Sequence, residues 1–154
     1  MISVKSVINK IRKSGLNISF AESCSGGNIA AEVIKISGVS DIFMGGIVTY
    51  SDQAKIDILK ITKQEIQKFG VVSENIAFLM AKNSKELFKT SLSLATTGNV
   101  GPLCSDNRSK VGEIYICLIL HEKVFHKKLD LKSNRVENIS KLVFEAFSLI
   151  DVVL

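Results

Sequence analysis

Three short segments hold side chains whose types and neighbours suit chemistry: Glu22-Ser23-Cys24-Ser25-Gly26-Gly27, Tyr50-Ser51-Asp52-Gln53-Ala54-Lys55 and Thr97-Gly98-Asn99-Val100-Gly101. Serine alone is a poor nucleophile. It needs a base to take its proton, and N–H donors to hold the oxyanion that develops on an attacked carbonyl. Ser23 and the Ser25-Gly26-Gly27 turn stand where a helix is expected to begin, and the free N–H groups of a helix start favour a phosphate or an oxyanion. Gly26 and Gly27 would let such a ligand approach the backbone. The same Ser-Gly-Gly pattern also serves plain helix capping, so this turn alone does not choose between the two.

Lys55 can act as a base only as the neutral amine, a form favoured by desolvation or by nearby positive potential. The first turn of a helix supplies that potential. Taken singly, a lysine is more often a solvated surface group. His121 and His126 have no serine or carboxylate at a suggestive spacing, which argues against a Ser-His-Asp triad. Cys24 lies beside Ser23, but no histidine is placed to activate it, and a buried structural thiol is expected. The carboxylates are scattered without metal-ligand spacing, so neither a metal nor a cofactor is expected.

These residues need elements to hold them. A helix over about Val4 to Ser14, apolar at Val4, Val7, Ile8 and Ile11, ends at Gly15, which tolerates the positive φ of a helix C-terminus. Leu16 to Ala21 alternates like a strand and delivers the chain to Ser23, and Asn28 to Ile36 has helical periodicity. After the break at Ser37-Gly38, Phe43 to Tyr50 forms a second strand, in which Gly45 and Gly46 suggest a bulge or a close backbone approach. Ser51 or Asp52 caps a short helix through Leu59, with Lys55 in its first turn. Thr62 and Glu65 form a capping box, and Ser73 opens a longer helix in which Ala77, Met80, Ala81, Ser84, Leu87 and Phe88 keep helical spacing. Leu92 to Thr96 is a third strand, and Glu113 to His121 with Val124 to Leu131 reads as a hairpin around Glu122-Lys123. Ser133 or Asn134 opens a last helix to about Val152. The order predicts an α/β fold: a three-layer α/β/α single domain over residues 1–154 with a mixed sheet. All three chemical segments then leave strand ends, where α/β sheets build sites.

A chain of 154 residues buries about two-thirds of its unfolded surface, enough for one well-formed core. With 46% hydrophobic and 23% charged residues and one proline, it is neither disordered nor collagen-like. The longest apolar run, Ile114 to Leu120, falls far short of the roughly 20 residues that span a bilayer. The amphipathic start is no secretory signal, so a cytoplasmic protein is expected. Cys24, Cys104 and Cys117 are odd in number and unpaired in spacing, which predicts free thiols. A net charge of +5 favours acidic partners, a phosphate-bearing small molecule among them, although a generally lysine-rich surface gives the same balance and is the commoner case. Nucleic acid is not favoured, because only 6% of residues are aromatic and none interleaves with a basic cluster.

Read together and in order, four segments resemble the CinA C-terminal-domain family, the nicotinamide-nucleotide amidases. They are Ala21-Glu22-Ser23-Cys24-Ser25-Gly26-Gly27, Gly46 to Lys55, Gly70-Val71-Val72-Ser73-Glu74, and Thr97 to Pro102 followed by Val111-Gly112. The likeness runs from the first helix to the last. It implies hydrolysis of the carboxamide of nicotinamide mononucleotide to nicotinic acid mononucleotide and ammonia, in pyridine-nucleotide salvage, without a metal. It puts the nucleophile at Ser23, the base at Lys55 and an assisting tyrosine at Tyr50. The substrate-binding residues expected with them are Ser25, Gly26, Gly27, Thr97, Gly98 and Asn99. Backbone N–H groups of Ser25 to Gly27 would stabilise the oxyanion or grip the phosphate. The resemblance further implies a homo-oligomer whose partner is a small-molecule nucleotide, and the short apolar runs predict no membrane attachment.

Several positions depart from the family pattern. Ser25 stands where threonine is usual and keeps the hydroxyl. Gly45 replaces a common arginine, Asn99-Val100 replaces Ile-Ala, and Leu103 to Lys110 replaces a glycine-rich stretch ending in Lys-Pro. Some members carry an N-terminal molybdopterin-binding-like domain, for which these residues leave no room. The departures motivate a rival from another class, a non-catalytic member that keeps the fold and binds a nucleotide or a protein. Nucleic-acid binding ranks last.

Overall fold

The computed structural model describes residues 2–154. Its central strands are short and buried on both faces. β1 (Ile18–Glu22) sends Ile18 and Phe20 into one core and Ala21 into the other. β3 (Leu92–Gly98) does the same with Leu92 and Leu94 against Ala95. With β2 (Phe43–Val48), β4 (Glu113–Leu120) and β5 (Lys123–Asp130) they form one five-stranded sheet in the order β2-β1-β3-β4-β5. β2, β1 and β3 are parallel, whereas β4 and β5 are antiparallel to their neighbours.

Helices cover both faces. α1 (Val4–Lys13), α2 (Asn28–Ile34) and α6 (Arg135–Val153) bury Ile8, Ile11, Ile29, Val33, Leu142 and Phe147 against one side of the sheet. On the other side α5 (Glu74–Phe88) packs Ile76, Ala77, Met80 and Ala81 onto Ala21, Ala95, Cys117 and Ile119. Alanines on both partners let this helix lie close to the sheet. α3 (Asp52–Asp57) and α4 (Lys63–Phe69) lead into it, and Leu59 and Ile61 between them join the same core. The architecture is the expected three-layer α/β/α fold on a mixed sheet. Among the described residues, no helix is long and apolar enough to cross a membrane.

Local chemistry sets the element ends. The caps fall on Ser51 for α3, on Thr62 with Glu65 as a full capping box for α4, on Ser73 for α5 and on Asn134 for α6. β1 and β3 each run past their expected ends, because Glu22 still pairs in parallel with Val48 and Thr96, and Thr97 and Gly98 still pair antiparallel with Tyr115 and Ile114. The hairpin turn sits at His121-Glu122, with His121 at φ +52 and Lys123 already in β5.

Gly45 adjoins a register shift between β1 and β2, where Met44 is the extra residue. It adopts φ +147, and a Cβ there would lie 2.5 Å from the Phe88 ring. An arginine at this position would have to displace that ring.

Candidate active site

The parallel strands end on the same side of the sheet, and the ladder continues into the loops. Ser23 N–H donates to Thr96 O (3.1 Å), and Thr49 N–H donates to Glu22 O (2.9 Å). These two bonds fix Ser23 and Thr49 side by side at the ends of β1 and β2. The short helix α3 then turns Lys55 back toward them. Lys55 Nζ lies 2.8 Å from Ser23 Oγ, 2.8 Å from Thr49 O and 3.3 Å from Tyr50 O. Ser23 is 7% exposed and Lys55 1%.

Burial pushes the Lys55 amine below the ordinary lysine range, with weaker opposition from Asp52 and Cys24. No carboxylate forms an ion pair with it among the described residues, so its partners are a hydroxyl and two carbonyls. A neutral amine satisfies all three. Its two N–H groups donate to the carbonyls of Thr49 and Tyr50, and its lone pair accepts the Ser23 hydroxyl proton. This is the arrangement a serine nucleophile and its base require.

The dyad opens into a cleft of about 210 Å³ lined by Ser23, Cys24, Tyr50, Gly98, Asn99 and Arg135, with Leu103, Cys104 and Ser105 at its loop side. Tyr50 contributes its backbone carbonyl to the dyad, while its phenol is turned outward, 60% exposed, and accepts from Arg135 Nη2 at 2.9 Å. Arg135 also donates through Nη1 to Gly101 O. Among the described residues it pairs with no carboxylate, so the cleft wall carries an uncompensated cation.

The remaining expected site residues divide. Gly98 and Asn99 line the cleft, but the Asn99 amide is occupied, donating to Ser109 Oγ and Lys110 O and accepting from Ser105 N–H. It thereby ties down the 99–110 loop. Thr97 is buried and donates to Val71 O. Ser25 is also buried, its hydroxyl 2.6 Å from Thr96 Oγ1. Gly26 donates to Ser23 O, and the Gly27 N–H is taken by the Glu22 carboxylate. Ser25, Gly26, Gly27 and Thr97 therefore shape the turn and the strand end without lining the cleft.

Cys24 does line it, but burial pushes its thiol up to about 12, well above the range of a reactive thiolate.

A sequence profile described as the CinA C-terminal domain matches residues 2–154. The chain belongs to that family. A CinA-like protein of Kosmotoga olearia is 41% identical over 129 residues, 84% of this chain, and one of Flavobacterium psychrophilum is 39% identical over 135 residues, 88% of it. The chain spans 31% and 32% of the length of these two relatives. The competence/damage inducible protein CihA of Agrobacterium tumefaciens superposes with a TM-score of 0.90 at 29% identity, covering 96% of this chain and 91% of that one. The competence or damage-inducible protein of Enterobacter asburiae, 21% identical, shares the fold over the whole of both chains with a TM-score of 0.93.

Two groups at this CinA domain's site were not singled out from sequence. Arg135 arrives from the first turn of α6, 85 positions from Tyr50. A cation there opposes the helix dipole, and that mismatch was the available signal. Glu22 stood inside the quoted motif, but its reach to Gly27, Ile29 and Ala30 closes only in three dimensions.

Proposed function

We propose that this CinA domain is a serine amidohydrolase that deamidates nicotinamide mononucleotide to nicotinic acid mononucleotide and ammonia. The observation that carries the reading is the buried contact of 2.8 Å between Lys55 Nζ and Ser23 Oγ, made without a carboxylate counter-ion. Ser23 Oγ attacks the carboxamide carbon as its proton passes to Lys55 Nζ. The tetrahedral intermediate collapses, the C–N bond breaks, and the nitrogen leaves as ammonia with the proton that Lys55 held. Water then attacks the acyl ester, gives a proton to Lys55, and releases the carboxylic acid as Ser23 recovers its hydrogen. The carbonyls of Thr49 and Tyr50 hold the amine in line throughout.

The substrate class follows from charge. Arg135 offers an unpaired guanidinium on the cleft wall, suited to a phosphate. The cleft is smaller than the roughly 300 Å³ at which drug-sized sites begin. It therefore suits the amide end of a nucleotide, with the remainder lying over the rim near Arg135. The same reading carries a cytoplasmic setting and a homo-oligomer.

Incubation with nicotinamide mononucleotide while ammonia is followed tests the proposal. Ser23→Ala and Lys55→Ala should each lower kcat on the order of 10³-fold or more, since members of one nucleophilic unit fail together. Arg135→Ala should act mainly through KM. Wild-type protein that binds the nucleotide without releasing ammonia would instead mark a non-catalytic binding module.

A further inference from the structure

The N-terminus of α2 is closed by a side chain from upstream. Glu22 is 1% exposed, and its carboxylate accepts the N–H of Gly27 (2.9 Å) and Ile29 (3.1 Å) on Oε2 and that of Ala30 (2.9 Å) on Oε1. Asn28 N–H donates to Ser25 O. No donor at this helix start is left for a substrate. An anion buried without a cation is costly, and three N–H groups at the positive end of a helix are what makes it tolerable here. An ordinary cap would come from the N-cap residue, but that residue is Gly27 at φ +94, which has no side chain. The cap comes from five residues back, so the bond from Glu22 to Gly27 closes a ring around Ser23, Cys24, Ser25 and Gly26.

Within that ring, Ser23 N–H is held by Thr96 O and Gly26 N–H by Ser23 O. Among the described residues the N–H groups of Cys24 and Ser25 donate to no other residue, and of the two only Cys24, which follows the nucleophile, lines the cleft. An N–H on the residue after the nucleophile is where α/β-hydrolases place an oxyanion donor.

We propose that Glu22 is the positioning residue of the site: its carboxylate closes the Ser23–Gly26 turn and so holds the Cys24 N–H as the oxyanion donor. The inference rests on Ser23 being the nucleophile. A preset donor stabilises developing charge without reorganising during the reaction. Glutamine at this position keeps the shape but turns an NH2 group against at least one of the three N–H donors. The turn would then relax around Ser23.

The test is the rate at which a fluorophosphonate labels Ser23, followed by intact mass, because that reaction also builds charge on an oxygen yet needs no nucleotide. Glu22→Gln should label about tenfold more slowly or worse, with a matching fall in kcat and a KM within about threefold of wild type. Thr62→Ala, which removes a cap on α4 away from the cleft, should lower the melting temperature and leave the labelling rate unchanged. Folded Glu22→Gln that labels at the wild-type rate would overturn the proposal. Should Glu22→Gln fail to fold, Glu22→Asp decides, since it keeps the charge and shortens the reach: slower labelling supports the role, and a wild-type rate removes it. Wild-type protein that is never labelled at Ser23 removes the nucleophile itself, a different failure, and the Glu22 role falls with it.

Discussion

Lys55 Nζ has three oxygen neighbours, and their count bears on its protonation. Two carbonyls and a hydroxyl satisfy the neutral amine, no carboxylate among the described residues bonds the ammonium, and burial outweighs the weaker pull of Asp52 and Cys24 to hold its pKa below the usual lysine range. Turnover should therefore rise with pH along a limb whose midpoint lies below that of an ordinary lysine. Lys55→Arg, whose guanidinium stays charged, should lose the limb and most of the rate. Stability follows the same group. The unfolded chain keeps this proton up to the normal lysine range and the folded chain releases it earlier, so stability should rise as pH climbs through that interval. Chemical denaturation of wild type and Lys55→Met across alkaline pH checks it. A pH slope that the substitution leaves intact would assign the effect to another group.

At the scale of elements, Gly98 shows how tightly the site is built onto the sheet. A Cβ there would lie 2.7 Å from Glu113 O and from Ile114 Cα, backbone atoms of the paired strand that cannot swing aside. Gly98→Ala should cost about 1–3 kcal/mol of stability, read from the denaturation midpoint. It should also lower kcat, because the end of β3 that borders the cleft must shift.

The helix starts at Ser51, Thr62, Ser73 and Asn134 were legible in sequence because a cap bonds only three residues ahead. The approach of Lys55 to Ser23 was legible only through the family resemblance, since taken singly a lysine reads as a solvated surface group. Glu22, Arg135 and the internal bonding of Asn99 were not, because each depends on where a distant loop returns. The turn at Ser25 to Gly27 suited an anion by composition, and the anion it holds belongs to the chain itself.

For the whole molecule, stability rests on two cores separated by one sheet. Leu94 is fully buried in the central strand and belongs to the larger core, between α1, α2, α6 and the sheet. Leu94→Ala should cost about 2–5 kcal/mol, measured as a shift in midpoint at constant m-value.

Ser23 follows β1 directly and Lys55 sits in α3 after the neighbouring parallel strand β2, and those strands meet in a register that includes one extra residue at Met44. Sliding β2 by a single position against β1 would move its loop by about 3.3 Å, more than the whole separation of nitrogen and oxygen in the dyad. The ammonia release proposed above would thus report correct alignment of that strand pair: during refolding, a misaligned chain that had already regained its helices would be spectroscopically near native and chemically silent.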